Sequence, residues 1–80
     1  MTRTDIFERL QMIFRELFED DSIALTPETT AHDVERWDSL SHVDMMIMVE
    51  ETFGVRFSTR EVTGLANVGQ LVNAIERRSP

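Results

Sequence analysis

Along the chain, stretches with a helical apolar period alternate with stretches that have none. In the first, Ile6, Leu10, Ile13 and Leu17 recur at intervals of three and four, and Phe7, Phe14 and Phe18 widen the stripe. This pattern predicts an amphipathic helix facing a core, with Thr4 as its N-cap. Glu19, Asp20 and Asp21 then put three anions where a helix dipole disfavours them, so the helix is expected to end near Phe18. From Glu19 to Trp37 no period persists, and Pro27 sits in the turn-like run Thr26-Pro27-Glu28-Thr29-Thr30. So long a loop is uncommon in a compact domain, and Ile23, Leu25 and Val34 are expected to pin it to the core.

Asp38 is a suitable N-cap for a second helix from Ser39 to about Phe53, which Gly54 terminates. Ser58-Thr59-Arg60-Glu61 has the form of a capping box and predicts a short helix that ends at Gly64. Asn67 caps a last helix with Val68, Leu71, Val72 and Ile75 on one face and Arg77 and Arg78 at its C-terminus. The expected architecture is all-α, with three main helices and one short helix in a single domain spanning residues 1–80.

The second helix carries two apolar strips. At about 100° per residue, His42, Met45, Met46, Val49 and Phe53 make a core stripe, while Leu40, Val43 and Ile47 lie about 140° from its centre. Asp44, Glu50 and Glu51 flank the second strip. An exposed apolar strip rimmed with carboxylates suits docking, since apolar side chains supply burial and acids steer a basic partner. The alternative is that the long loop folds over Leu40 and Val43 and buries the helix on both sides.

Charge sharpens this picture. Residues 1–36 hold nine acids and four Arg, residues 37–53 four acids and no base, and residues 54–80 two acids and four Arg, giving −5, −4 and +2 and a net charge of −7. Nucleic acid is therefore not an expected partner. There is no Cys, so the chain has neither a disulfide framework nor a thiol of its own. No apolar run is long enough for a signal peptide or a membrane span, which makes the cytoplasm the expected compartment.

Ser39 falls in the first turn of the second helix, where free backbone N–H groups and the helix dipole favour a phosphate esterified to its hydroxyl. Taken alone, Asp38-Ser39-Leu40 reads as a simple cap rather than as an attachment site. In context, this tripeptide opens an acidic helix after a long loop and is followed by Val43 and Glu50-Glu51-Thr52-Phe53-Gly54-Val55, then by Asn67-Val68-Gly69-Gln70-Leu71-Val72. Over essentially its whole length the chain thus resembles the acyl carrier protein family.

That resemblance implies an up-down helical bundle and a 4'-phosphopantetheine arm, moved from coenzyme A onto Ser39 by a phosphopantetheinyl transferase that itself requires magnesium. The arm ends in a thiol that holds an acyl group as a thioester. Matching positions imply that Asp38 and Leu40 help the transferase engage, and that Leu40, Val43, Asp44, Ile47, Glu50 and Glu51 meet the acyl- or aminoacyl-activating and transferring enzymes. The expected state is a monomeric carrier without catalytic residues or a bound metal. Trp37, Ser41, His42, Arg56 and Arg60 depart from the commonest fatty-acid-synthesis pattern and look like those of a specialised member. An aminoacyl or peptidyl carrier and an unmodified acidic helical adaptor are the rival readings.

The remaining chemistry-bearing residues fit structural roles. His42 borders the core stripe and is read as structural rather than as a base for Ser39, and His32 has no suggestive partner. With two lone histidines and no Cys, a metal site is not expected. No nucleophile, base and orienting group form a set, so the chain is not expected to be an enzyme. Met45, Met46 and Met48 read as core packing, with an adaptable lining for an acyl chain as the alternative. Trp37 is either a loop anchor or a partner contact.

Overall fold

Each helix begins where a side chain takes up backbone N–H groups that the helix itself leaves unpaired. The computed structural model describes residues 2–34 and 36–78, with helices α1 (Arg3–Phe18), α2 (Ser39–Phe53), α3 (Thr59–Thr63) and α4 (Val68–Arg78). The cap of α1 is Thr2, two residues earlier than the sequence reading placed it. Thr2 Oγ1 accepts the Asp5 N–H at 3.1 Å and Asp5 returns a carboxylate oxygen to the Thr2 N–H at 3.3 Å. The Asp three residues on decides between the two threonines, because it closes a reciprocal capping box only with Thr2.

Helix ends follow the same logic. Glu19 adopts the left-handed conformation at φ 51°, so α1 stops where the acidic triplet begins. Gly54 closes α2 at φ 67°, where it has no Cβ to strain. Ser58 and Glu61 form the expected box on α3, and Asn67 Oδ1 accepts the Gln70 N–H at 2.9 Å at the start of α4.

α1 packs against both α2 and α4. Ile6, Leu10, Ile13, Phe14 and Phe18 meet Met45, Met46, Val49 and Phe53 from α2 and Val68, Leu71, Val72 and Ile75 from α4 in one core. The all-α architecture is the expected one, an up-down bundle of three main helices with a fourth, short one. Leu17 is only half-buried, so the stripe of α1 is centred on Phe14 rather than on the Leu10–Leu17 edge. The three methionines divide as core packing requires, Met45 and Met46 buried and Met48 half-buried.

The long loop is pinned by apolar contact and by hydrogen bonds. Val34 is buried and Ile23 and Leu25 pack on the core. Arg15 Nε donates to the Ile23 carbonyl at 2.8 Å, Gln11 Oε1 accepts the Leu25 N–H at 3.0 Å, and Arg36 Nη1 donates to the Phe18 carbonyl at 2.9 Å. Its proline turn also serves α4, since the Val68 and Gly69 N–H groups donate to the Thr29 and Pro27 carbonyls, both at 2.9 Å. A helix N-terminus is thereby satisfied by a segment about forty residues earlier in the sequence.

This contact explains Gly69. A Cβ there would lie 2.8 Å from the Pro27 carbonyl oxygen, closer than real contacts allow. Alanine ordinarily improves a helix by up to about 1 kcal/mol over glycine. Here overpacking should win, and Gly69→Ala is expected to lower stability by about 1–2 kcal/mol in urea titration. A rise in the urea midpoint would mean that the loop does not approach α4 so closely.

Candidate functional site

The start of α2 is held more tightly than capping alone requires. Asp38 is extended, and its Oδ1 accepts the Leu40 and Ser41 N–H groups, each at 3.0 Å. Ser41 Oγ accepts the Asp38 N–H at 2.8 Å and donates to the Arg36 carbonyl at 2.9 Å. These bonds fix the entry angle of the helix and leave the residue between them, Ser39, pointing away from the lock. Ser39 is exposed, and among the described residues its hydroxyl is in no hydrogen bond. Ser41, two positions on, is half-buried and fully engaged.

The free N–H groups invoked to receive a phosphate are largely spoken for, because Asp38 already takes those of Leu40 and Ser41. A phosphate ester at this position would therefore face solvent rather than the helix terminus, still on the positive end of the dipole.

The Asp38 carboxyl is held below its ordinary value of 3.8, chiefly by the Ser41 backbone N–H and further by the Ser41 hydroxyl and the Leu40 N–H. Asp20, bonded to Ser22, and Glu61, bonded to Ser58, are shifted in the same direction. A carboxylate whose folded value is depressed contributes stability above its unfolded value, and that contribution is lost as pH falls through the folded one. The start of α2 is thus expected to loosen below about pH 4. Asp38→Asn should lower amide protection at Leu40 and Ser41 at neutral pH and flatten its decline in acid. Equal acid profiles in the two proteins would contradict this.

The second apolar strip of α2 lies open. Leu40 is 79 % exposed, Val43 52 % and Ile47 48 %, so the loop does not cover them. Asp44 and Glu51 are exposed beside the strip. Glu50 is different, being half-buried with Oε2 accepting the Phe57 N–H at 2.8 Å. It fastens the turn after Gly54 as well as adding charge to the rim. The signal for this was the seven-residue step from Glu50 across a glycine turn, which a helical wheel does not register.

Sequence reasoning also left Trp37 and His42 without partners, and the structure joins them. Trp37 Nε1–H donates to His42 Nδ1 at 3.0 Å, and His42 Nε2 meets the Val62 carbonyl at 2.8 Å. Trp37 also sets its edge against Phe14, at 5.1 Å between centroids, so it anchors the loop. His42 is structural, as expected, and both its nitrogens are occupied away from Ser39. His32 is exposed in the loop. Among the described residues no group of three His, Asp or Glu could hold a metal ion, and no helix is long and apolar enough to cross a membrane.

A family model described as the phosphopantetheine attachment site matches residues 8–75. The chain belongs to the acyl carrier protein family. It is 34 % identical over 76 residues to acyl carrier protein 2 of Ralstonia nicotianae, covering 95 % of this chain and 94 % of that one. The acyl carrier protein of Helicobacter pylori is 32 % identical, with 89 % and 91 % covered. The solution structure of the holo acyl carrier protein from Geobacter metallireducens superposes with a TM-score of 0.84 at 40 % identity, over 90 % of this chain and 83 % of that one. This chain is accordingly a carrier bearing a covalent 4'-phosphopantetheine and not an enzyme. Like its family, it works with a phosphopantetheinyl transferase and with biosynthetic enzymes.

Proposed function

We propose that Ser39 bears the arm, and that Leu40, Val43 and Ile47, with Asp44, Glu50 and Glu51 around them, receive the enzymes that load and unload it. The observation that carries this reading is the exposed, unengaged hydroxyl of Ser39 at the start of α2, held between the locked Asp38 and Ser41. In loading, Ser39 Oγ bonds to the β-phosphorus of coenzyme A, the pyrophosphate P–O bond breaks, and adenosine bisphosphate leaves with the electron pair. The hydroxyl proton passes to the transferase, which also supplies the magnesium. The arm contributes the thiol that the protein lacks. Asp38 keeps the helix start rigid for the transferase, and Leu40 offers the apolar contact next to the attachment point.

The chain is proposed to act as a single-domain monomer in the cytoplasm, its net charge of −7 opposing self-association. An acyl group is the favoured cargo over an amino acid, because Asp38 precedes Ser39 and the helix that follows is acidic. The residues that set this sequence apart from the commonest pattern, Trp37 and His42 foremost, favour a specialised pathway with its own enzymes.

Because the chain has no Cys, thiol titration reads the arm directly. Incubation of the protein without its arm with coenzyme A, magnesium and a broad-specificity phosphopantetheinyl transferase, followed by removal of small molecules, should give one titratable thiol per chain where the same protein before treatment gives none. A protein still without thiol after that treatment would favour the unmodified adaptor.

The open strip makes a separate prediction. Leu40→Ala should reduce the kcat/KM of loading by about five- to thirtyfold, the range of an interfacial apolar contact worth 1–2 kcal/mol. Its helical content should be unchanged, since truncating an exposed side chain leaves no cavity. Loss of the fold in Leu40→Ala or Ile47→Ala would assign the strip to the core instead.

A further inference from the structure

Among the four helices, α3 has the weakest hold on the core, as none of its residues is buried. At five residues it cannot satisfy its own termini. The Val62 carbonyl would ordinarily accept the N–H four positions on, but the Ala66 N–H donates to Gln70 Oε1 at 2.9 Å instead. The imidazole of His42, reaching over from α2, takes that carbonyl at 2.8 Å. Its partners dictate its form. An indole N–H only donates and a carbonyl only accepts, so Nδ1 is bare and Nε2 carries the proton.

The two ring planes are inclined by 24° with centroids 5.9 Å apart, and the indole N–H reaches the ring nitrogen Nδ1. Trp37 rests on the fully buried Phe14. A continuous line of contacts therefore runs from the core of α1, through the residue ahead of Asp38, across α2 and into the last turn of α3.

This line borders a cleft of about 390 Å³ whose rim includes Ser39 and whose walls include Trp37, His42, Val43, Val62 and Leu65. The polar side-chain atoms of Trp37, His42 and Thr63 are all bonded within the chain, which leaves mainly apolar surface facing the cleft, with Asp38 beside Ser39 at its rim. A second cleft of about 260 Å³ continues along the seam between α2 and α3, sharing Val43, Val62 and Thr63 with the first. On its α4 side α3 is tied independently. Arg78 pairs with Glu61, donates from Nε to the Arg56 carbonyl at 3.0 Å and lies 4.9 Å from the centre of the Phe57 ring.

We propose that His42 is a positioning residue, a latch that holds α3 to the start of α2 and so limits the size of apolar cargo that can lie in the seam beside Ser39. The proposal rests on the reading of Ser39 as the arm-bearing residue. When the bond to Val62 is lost, α3 swings on its Arg78 tie and the seam widens. Specificity for cargo length then resides in a hydrogen bond that touches no cargo.

The two nitrogens can be tested separately. In His42→Asn the amide oxygen stands near the place of Nδ1 and keeps the Trp37 bond. In His42→Gln the amide nitrogen stands near the place of Nε2 and keeps the Val62 bond. Amide exchange in residues 62–66 should be about five-fold faster in His42→Asn and His42→Ala than in the parent, the effect of one net hydrogen bond, and near parental in His42→Gln. Nitrogen NMR of the parent should show the bare Nδ1 and protonated Nε2 directly.

For the cargo, each protein is loaded from acetyl- or octanoyl-coenzyme A by a broad-specificity transferase, and the thioester is cleaved with hydroxylamine. The octanoyl thioester should be cleaved more slowly in His42→Asn and His42→Ala than in the parent and His42→Gln, with the acetyl thioester alike in all four. Equal octanoyl rates, or unchanged exchange in α3, would overturn the latch. Absence of any mass gain on loading would instead overturn the reading of Ser39, and the latch with it.

Discussion

Phe14→Ala is expected to bring the domain close to unfolding. The ring is fully buried where α1 meets the loop, 5.8 Å from Phe18 and 5.1 Å from Trp37 between centroids. Removing a buried phenylalanine costs about 3–5 kcal/mol, the lost transfer energy plus the cavity left behind. A domain of this size has about 4–12 kcal/mol in total. Trp37 would lose the surface it stands on, and the Trp37–His42–Val62 line its foot. Urea unfolding followed by circular dichroism and by the fluorescence of the sole tryptophan should show the midpoint falling steeply, with both signals shifting together. A loss below about 1 kcal/mol would mean that the core is centred elsewhere on α1.

Ser39→Ala has the opposite profile, a complete functional loss in an unperturbed fold. The hydroxyl is exposed and makes no hydrogen bond among the described residues, so its removal leaves no orphaned partner and no cavity. The cap of α2 stays intact because Asp38 and Ser41 supply it. The variant should melt with the parent and take up no pantetheine from coenzyme A by intact mass. Persistent uptake would move the attachment point to another hydroxyl. A large drop in melting temperature would show that Ser39 supports the helix as well.

Much of this arrangement was legible because local signals and the fold agree. The apolar periods gave the helices, Asp38 and Gly54 bounded α2, and Ser58 with Glu61 announced α3. The open strip on α2 was visible as an apolar face with no counterpart in the core stripe. Thr2 was within reach, since Thr2-Arg3-Thr4-Asp5 contains the capping-box spacing that Thr4 lacks.

What stayed hidden depends on contacts between distant segments. The carbonyls of Pro27 and Thr29 cap α4, and this alone explains why residue 69 is glycine. Glu50 bonds a backbone group beyond a turn. His42 joins a loop indole to a carbonyl twenty residues later, and no spacing rule links three elements at once. The occupied N-terminus of α2 stayed hidden for a related reason, since a cap residue consumes the N–H groups that make a helix start attractive to anions.

Which hydroxyl carries the arm is answered most directly by fragmenting the loaded parent protein in a mass spectrometer and assigning the added phosphopantetheine along the backbone. All of it should lie on Ser39, with the fragments that divide residue 39 from residue 41 leaving Ser41 unmodified. Mass on Ser41 or on any other hydroxyl, with Ser39 bare, would contradict the account.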